Sequence, residues 1–190
     1  VSRLSIMFLQ LWNYTTNEFN PQYLPFFSTQ KFENDGYVMP FGDGPMSGHL
    51  TGKLAYINMI NNAKKYVYIS TPYLILDNEM ITALQLADES GVDVRIITPN
   101  IPDKWYVHVV TRSNYPILVQ SGIRIFEYEP GFIHSKTIIA DDEVGIVGTT
   151  NFDFRSFYLH FENGIFMYKS KAIAKIKEDY EETLTQCNEI

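Results

Sequence analysis

The chain has 190 residues, 45% of them apolar and 15% aromatic, enough for one domain of ordinary size with a real core and some chain to spare. Its formal net charge of −7 argues against a surface that grips nucleic acid broadly, since phosphate backbones recruit concentrated Lys and Arg; only a local basic cleft stays open. The single cysteine, Cys187, excludes an intrachain disulfide and fits a reducing compartment, and the longest uncharged run, Leu4 to Asn17, falls short of the ~20 residues a membrane span requires.

Residues 1–16 put Leu4, Met7, Phe8, Leu11 and Trp12 on one side at helical spacing, which predicts an amphipathic helix whose apolar stripe needs a partner. Pro, Gly and Asn crowd the stretch that follows as far as Pro45. Residues 1–41 are therefore expected to be a lead-in helix and connector, and 42–190 the domain proper. With Val1 in first place and no signal-peptide pattern, the sequence reads as a soluble piece of a longer protein.

A helix is predicted over 50–64 with Leu54, Ile57 and Ile60 inward, then the strand "YVYIS". The next helix has Asp77 as N-cap, Met80, Ile81 and Leu84 on one face, and Gly91 where a left-handed C-terminal residue belongs. "DVRIIT", a helical stretch over 105–120 and "IRIFEY" follow. The strands "FIHSKTIIA" and "VGIVGT" flank an acidic turn, Asp141-Asp142-Glu143, and "FENGIFMY" leads into a last helix that aligns Ile173, Ile176, Tyr180 and Leu184. This alternation predicts an α/β sandwich with a mixed, largely buried sheet. No internal repeat interrupts it.

The chemistry concentrates between residues 134 and 162. His134 and Lys136 share one face of a predicted strand, ~7 Å apart, so both can meet one ligand. Asp141, "GTTN" from Gly148 to Asn151, and Glu162 follow. An anionic substrate explains these types together. Lys136 is a compact positive charge for a non-bridging phosphate oxygen, and the Asn151 amide adds a neutral donor. Such donors stabilise developing charge by about 3 to 4 kcal/mol each in a site that excludes water. His134 is then either a nucleophile on phosphorus or an acid and base, with a carboxylate such as Glu162 on Nδ1 fixing the tautomer. Neither a metal-ligand cluster nor a cofactor motif accompanies them, so no metal or cofactor is expected.

Other residues have blander readings. His49, His108 and His160 read as packing residues, Lys53, Lys64 and Lys65 as solvated helix charges, and Tyr73 and Tyr106 as core. Asp43 with the glycines of "GDGPMSG" is either a phosphate cradle at a helix N-terminus or a turn that starts a helix. Arg155 is either an interior ion-pair partner or a contact to lipid phosphate.

The run "HSKTIIADDEVGIVGTTNFDFRS" resembles the HxK motif of the phospholipase D superfamily. The longer stretch from "TPYL" through "GVDVRIITP" to "FDFRSFYLHFE" resembles the second catalytic half of bacterial cardiolipin synthases, and "FLQLWNY" resembles the helix that ends their first half. The resemblance implies a phospholipase D-like α/β/α sandwich and a metal-free exchange between two phosphatidylglycerols through a phosphohistidine, giving cardiolipin and glycerol. It implies that His134, Lys136 and Asp141 form the catalytic motif, that Lys136 and Asn151 hold phosphate oxygens, that Thr149 lines the site where serine is frequent, and that Glu162 orients His134. Asp141 nevertheless falls at the far end of the strand on the opposite face from His134, which predicts support of the fold. The family needs two such motifs, and none of His49, His108 or His160 has a lysine two positions later. The second motif is expected upstream in the same polypeptide, which the resemblance places at a bacterial cell membrane, or in a second copy of the chain. The alternatives are a homodimeric phosphodiesterase or nuclease, and an inactive module that binds anionic phospholipid.

Overall fold

The computed structural model describes residues 2–17, 27, 30, 33, 35–46 and 48–190, in two units, 1–34 and 35–190. The first contains α1 (Ser2–Thr16), the expected lead-in helix, on which Phe8 and Trp12 stack with ring centroids 5.9 Å apart and both stay exposed. Most of the expected connector lies outside the described residues.

The second unit runs β1 (Tyr37–Asp43), α2 (Thr51–Asn62), β2 (Tyr66–Ser70), β3 (Leu74–Ile75), α3 (Asn78–Glu89), β4 (Asp93–Pro99), α4 (Trp105–Ser113), α5 (Tyr115–Val119) and β5 (Arg124–Tyr128). It continues with β6 (Thr137–Ala140), β7 (Val144–Gly148), β8 (Phe152–Asp153), α6 (Phe154–Tyr158), β9 (Glu162–Tyr168), α7 (Lys171–Leu184) and β10 (Cys187–Glu189). Eight strands form one mixed sheet in the order β1-β9-β7-β6-β2-β4-β5-β10, with β3 and β8 paired beside it. In that sheet β2, β4 and β5 are parallel, while β6, β7, β9 and β1 alternate antiparallel beyond β2.

Strand alternation divides the core into two layers. Val67, Ile69, Val94, Ile96, Ile125 and Ile138 belong to the layer that holds Met59 and Ile60 of α2 and Met80 and Leu84 of α3. Tyr66, Tyr68, Ile97, Phe126 and Ile139 belong to the other, with Ile173 and Tyr180 of α7. Central strands buried on both faces explain why the sequence there reads as near-continuous apolar runs.

Four expectations change. The sheet begins ahead of Gly42, because β1 carries Pro40 and Gly42 in a strand; Pro40 lacks an amide hydrogen but is tolerated at the sheet edge, opposite Ile165. Leu54 points outward, and α2 buries Lys53, Tyr56, Met59 and Ile60 instead. The stretch over 105–120 breaks at Asn114, where Pro116 can only open a new helical turn. Lys53 is not solvated: its ammonium lies 2.7 Å from the Asp77 carboxylate and also bonds Glu79 and the Tyr158 hydroxyl. Burial works against that charge, but the three partners raise its pKa above the ordinary lysine value. Asp77 also caps α3 through the Met80 amide at 3.0 Å, and Gly91 takes φ +87°, both as expected.

Candidate active site

Sheet direction gathers one set of strand ends. The parallel strands β2, β4 and β5 finish at the edge where β6 begins, since Ser70 lies opposite Thr137. β7 returns to that edge at Gly148, opposite Gly164, and β9 leaves it at Glu162. The carboxyl ends of parallel strands in open α/β sheets are where ligands bind. Here they assemble His134, Lys136, Thr149, Asn151 and Glu162, while Asp141 goes to the opposite edge with the far end of β6. Gly148 permits the close β7–β9 approach: a Cβ there would stand 2.3 Å from the Asn163 carbonyl oxygen.

β6 proper starts at Thr137, so His134 to Lys136 form a run-in to the strand rather than part of it. Two contacts hold the run-in. The Gly148 amide donates to the Lys136 carbonyl at 3.3 Å, and the Ser135 hydroxyl bonds that of buried Ser70 at the end of β2. The His134 side chain is exposed, its ring 5.3 Å from that of Phe132, and no described residue hydrogen-bonds the imidazole. Phe132 in turn lies 6.2 Å from Tyr73, whose hydroxyl donates to Asp103 at 2.6 Å.

Desolvation lowers the His134 pKa, the Lys136 charge lowers it further, and Asp103 opposes both. The neutral ring, with a free lone pair, is thereby favoured. Lys136 donates to the His134 carbonyl at 2.7 Å; burial lowers its own pKa, and the Glu162 and Asp153 carboxylates resist. Cation and imidazole thus share one electrostatic neighbourhood open to solvent.

Glu162 does not reach His134. Its carboxylate bonds the Thr149 hydroxyl and lies 3.5 Å from Nδ1 of His160, so its described partners are those two and its effect on the site passes through Lys136. Thr149 is locked to β9 by its hydroxyl, which accepts from the Asn163 amide at 3.0 Å. The Asn151 amide nitrogen donates to Ser156 at 3.0 Å, and its oxygen is buried without a partner. Exchanging O and N in that amide would let the Ser156 hydroxyl donate to it and leave an N–H for an anion, which is how an unsatisfied buried group is relieved. The Asp141 carboxylate accepts from the amides of Lys64, Lys65 and Tyr66 at 2.7, 2.8 and 3.0 Å. It braces the start of β2 and takes no part in the site.

Several neighbours escape sequence reading. Tyr73, Asp103, Phe132 and Asp153 come from loops and from β8, distant in sequence, and Tyr73 reads as core until Asp103 is placed beside it. His160 is not mere packing, since it stands against Glu162. Tyr106 is exposed rather than core, and Arg155 is exposed rather than interior. At the start of α2 the Asp43 carboxylate accepts the Gly52 amide at 2.7 Å, so the turn that starts a helix is the reading that matches the bonds there.

Solved structures place this architecture in the phospholipase D fold. A phospholipase D family member, Nuc from Salmonella typhimurium, superposes with a TM-score of 0.69 at 19% identity, covering 81% of this chain and 99% of that one. Phosphatidylserine synthase from Haemophilus influenzae superposes with a TM-score of 0.64 at 18% identity, covering 80% and 40%. The family profile described as "Cardiolipin synthase, PLD-like domain" matches residues 56–184, and the chain belongs to that family. Over its full length it is 41% identical to a cardiolipin synthase of Alkalihalophilus pseudofirmus and 40% identical to cardiolipin synthase 2 of Bacillus anthracis, covering 38% and 37% of those proteins. The chain therefore spans about two-fifths of the length of these curated relatives.

Proposed function

We propose that the chain supplies one of two HxK half-sites in a phosphatidyltransferase that converts two phosphatidylglycerols into cardiolipin and glycerol. The observation that carries this reading is the imidazole of His134, which no described residue hydrogen-bonds, beside Lys136 at the strand edge that also presents Thr149 and Asn151. In the exchange, one imidazole nitrogen forms a bond to phosphorus as the bond from phosphorus to the glycerol oxygen breaks. The second histidine gives that oxygen its proton. It then removes the proton from a hydroxyl of the second phosphatidylglycerol, which attacks phosphorus, breaks the P–N bond and restores the first imidazole.

Lys136 and the Asn151 amide suit the non-bridging oxygens, whose charge grows as the apical bonds exchange. Asp153 and Glu162 keep Lys136 charged against its burial. The second HxK comes from elsewhere in the same polypeptide. Labelled phosphatidylglycerol given to the polypeptide that contains this chain should yield cardiolipin, and His134→Ala should cut that yield by about 10⁴-fold. Unchanged output from the variant would overturn the reading.

The 99% coverage of Nuc favours one further possibility, two copies of this chain completing a site as a phosphodiesterase. Gel filtration joined to a DNA-cleavage assay separates the two. A monomer inactive on DNA supports the transferase, and a dimer that cleaves supports the alternative.

A further inference from the structure

α4 turns an apolar face outward beside the site. Trp105, Tyr106, Val109 and Val110 recur at the spacing of one helix face and are 76, 54, 58 and 43% exposed, with Ile101 adding to them from the preceding loop. The rest of the helix is stitched down. Buried Thr111 accepts the Leu74 amide at 3.3 Å, Asn114 donates to the Leu74 carbonyl at 3.2 Å, and the Arg112 guanidinium grips buried Glu127 at 2.8 Å. The apolar face is therefore held outward by its inner contacts. Leu74 pairs with Phe152, the residue after Asn151, and Asp103, two residues before Trp105, bonds Tyr73 and acts on His134.

Charge selects the occupant. The whole chain carries −7, yet from Lys104 to Phe126 it contains no Asp or Glu. Arg112 and Arg124 in that stretch are paired with Glu127 and Glu189, which leaves exposed Lys104 and half-buried His108 flanking the aromatic end of α4. Trp and Tyr rings beside the Lys104 ammonium, backed by valines and with the neighbouring Asp103 carboxylate engaged by the Tyr73 hydroxyl, suit the headgroup boundary of an anionic bilayer.

We infer that the outer face of α4 docks on an anionic lipid surface and so sets His134 and Lys136 at the height of a phosphodiester headgroup. This rests on the phosphatidyl-transfer reading of the site, and names the surface that delivers its substrate.

The chain's two tryptophans are Trp12 and Trp105, so a Trp12→Phe chain reports on α4 alone. With phosphatidylglycerol vesicles the Trp105 emission should shift to the blue and be quenched by brominated acyl chains. Val109→Asp in that background should weaken vesicle partition about tenfold while the circular dichroism and melting curve stay in place. Phosphatidylcholine vesicles should bind about tenfold less.

Binding that leaves Trp105 unquenched would overturn the inference by assigning the lipid contact to another face. Equal partition onto phosphatidylcholine would overturn it too. So would a Trp105 already shielded, and blind to vesicles, in the longer polypeptide, because a protein surface would then cover α4. The transfer reading is judged separately by giving dispersed short-chain phosphatidylglycerol, which needs no docking, to the polypeptide that contains this chain. Turnover there without quenching rejects only the docking face, and quenching without turnover rejects only the chemistry.

Discussion

The two ends of β6 hold the two parts of one sequence motif and treat them in opposite ways. At the leading end, among the described residues, the His134 imidazole has no hydrogen-bond partner and the buried Asn151 oxygen is unpaired, and burial lowers the pKa values of both His134 and Lys136. At the trailing end the two aspartates of the turn are fully engaged. Asp141 takes three amides, and Asp142 takes the Tyr66 hydroxyl and the Lys177 ammonium. Both residues adopt left-handed φ, 58° and 62°, in the three-residue turn that joins paired Ala140 and Val144, and their carboxylate bonds hold a conformation that other side chains resist. Unsatisfied groups at one end and saturated carboxylates at the other set the candidate site beside its own brace.

The sharpest way to break that contrast is Lys136→Met. If the leading end binds phosphate, cardiolipin formation should fall by about 10²- to 10³-fold while the denaturation midpoint barely moves. A large stability loss with activity retained would make the lysine part of the brace.

Asp141→Gly probes the other end. Glycine accepts the left-handed φ, so the change isolates the lost carboxylate. Two of the three amides can turn to water, and the expected cost is about 2 kcal/mol in urea unfolding. The His134 titration should stay where it was. Asp141→Ala should cost about 1 kcal/mol more, because a Cβ is strained at that φ.

How far this contrast is legible in the sequence depends on what each residue answers to. The HxK spacing, the acidic turn, the Asp77 cap and the alternation of strands and helices are local and can be read directly. The placement of Asp141 at the far edge follows from the strand that separates it from Lys136. The expectation that Glu162 orients His134 differs from the structure because the Gly148–Gly164 approach brings Thr149 to that carboxylate and His160 meets it from two residues away. β1 is hidden by Pro40, since nothing local says that a strand will lie at an edge. Lys53 is hidden because its partners Asp77, Glu79 and Tyr158 come from two other elements.

A smaller effect concerns pH. Since burial and Lys136 lower the His134 pKa, the folded chain binds fewer protons there than the unfolded chain does. This histidine therefore favours folding above the ordinary imidazole pKa, and that contribution is lost as pH falls through its folded value. Lys136→Met removes the second cause and leaves the first, so the His134 pKa should rise only part of the way to the ordinary value. An NMR titration of the ring proton measures it. A pKa that stays put or falls would place the lysine charge too far off to act on the ring.

The smallest expected effect tests whether the brace is one unit. The Tyr66 hydroxyl accepts the Asp142 amide and donates to its carboxylate, both at 2.9 Å, while Lys177 sits 4.6 Å from the ring centre and bonds the same carboxylate at 2.8 Å. Tyr66→Phe removes the hydroxyl but keeps the ring under Lys177, so about 1 kcal/mol should be lost. Asp141 holds the Tyr66 amide while the Tyr66 hydroxyl holds Asp142. The hairpin turn and the start of β2 are thus tied in both directions, and the double variant with Asp141→Gly should lose less than the sum of the two singles by at least ~0.5 kcal/mol. Strict additivity would mean that the turn and the strand start are braced independently, and that the trailing end of β6 is two small devices instead of one.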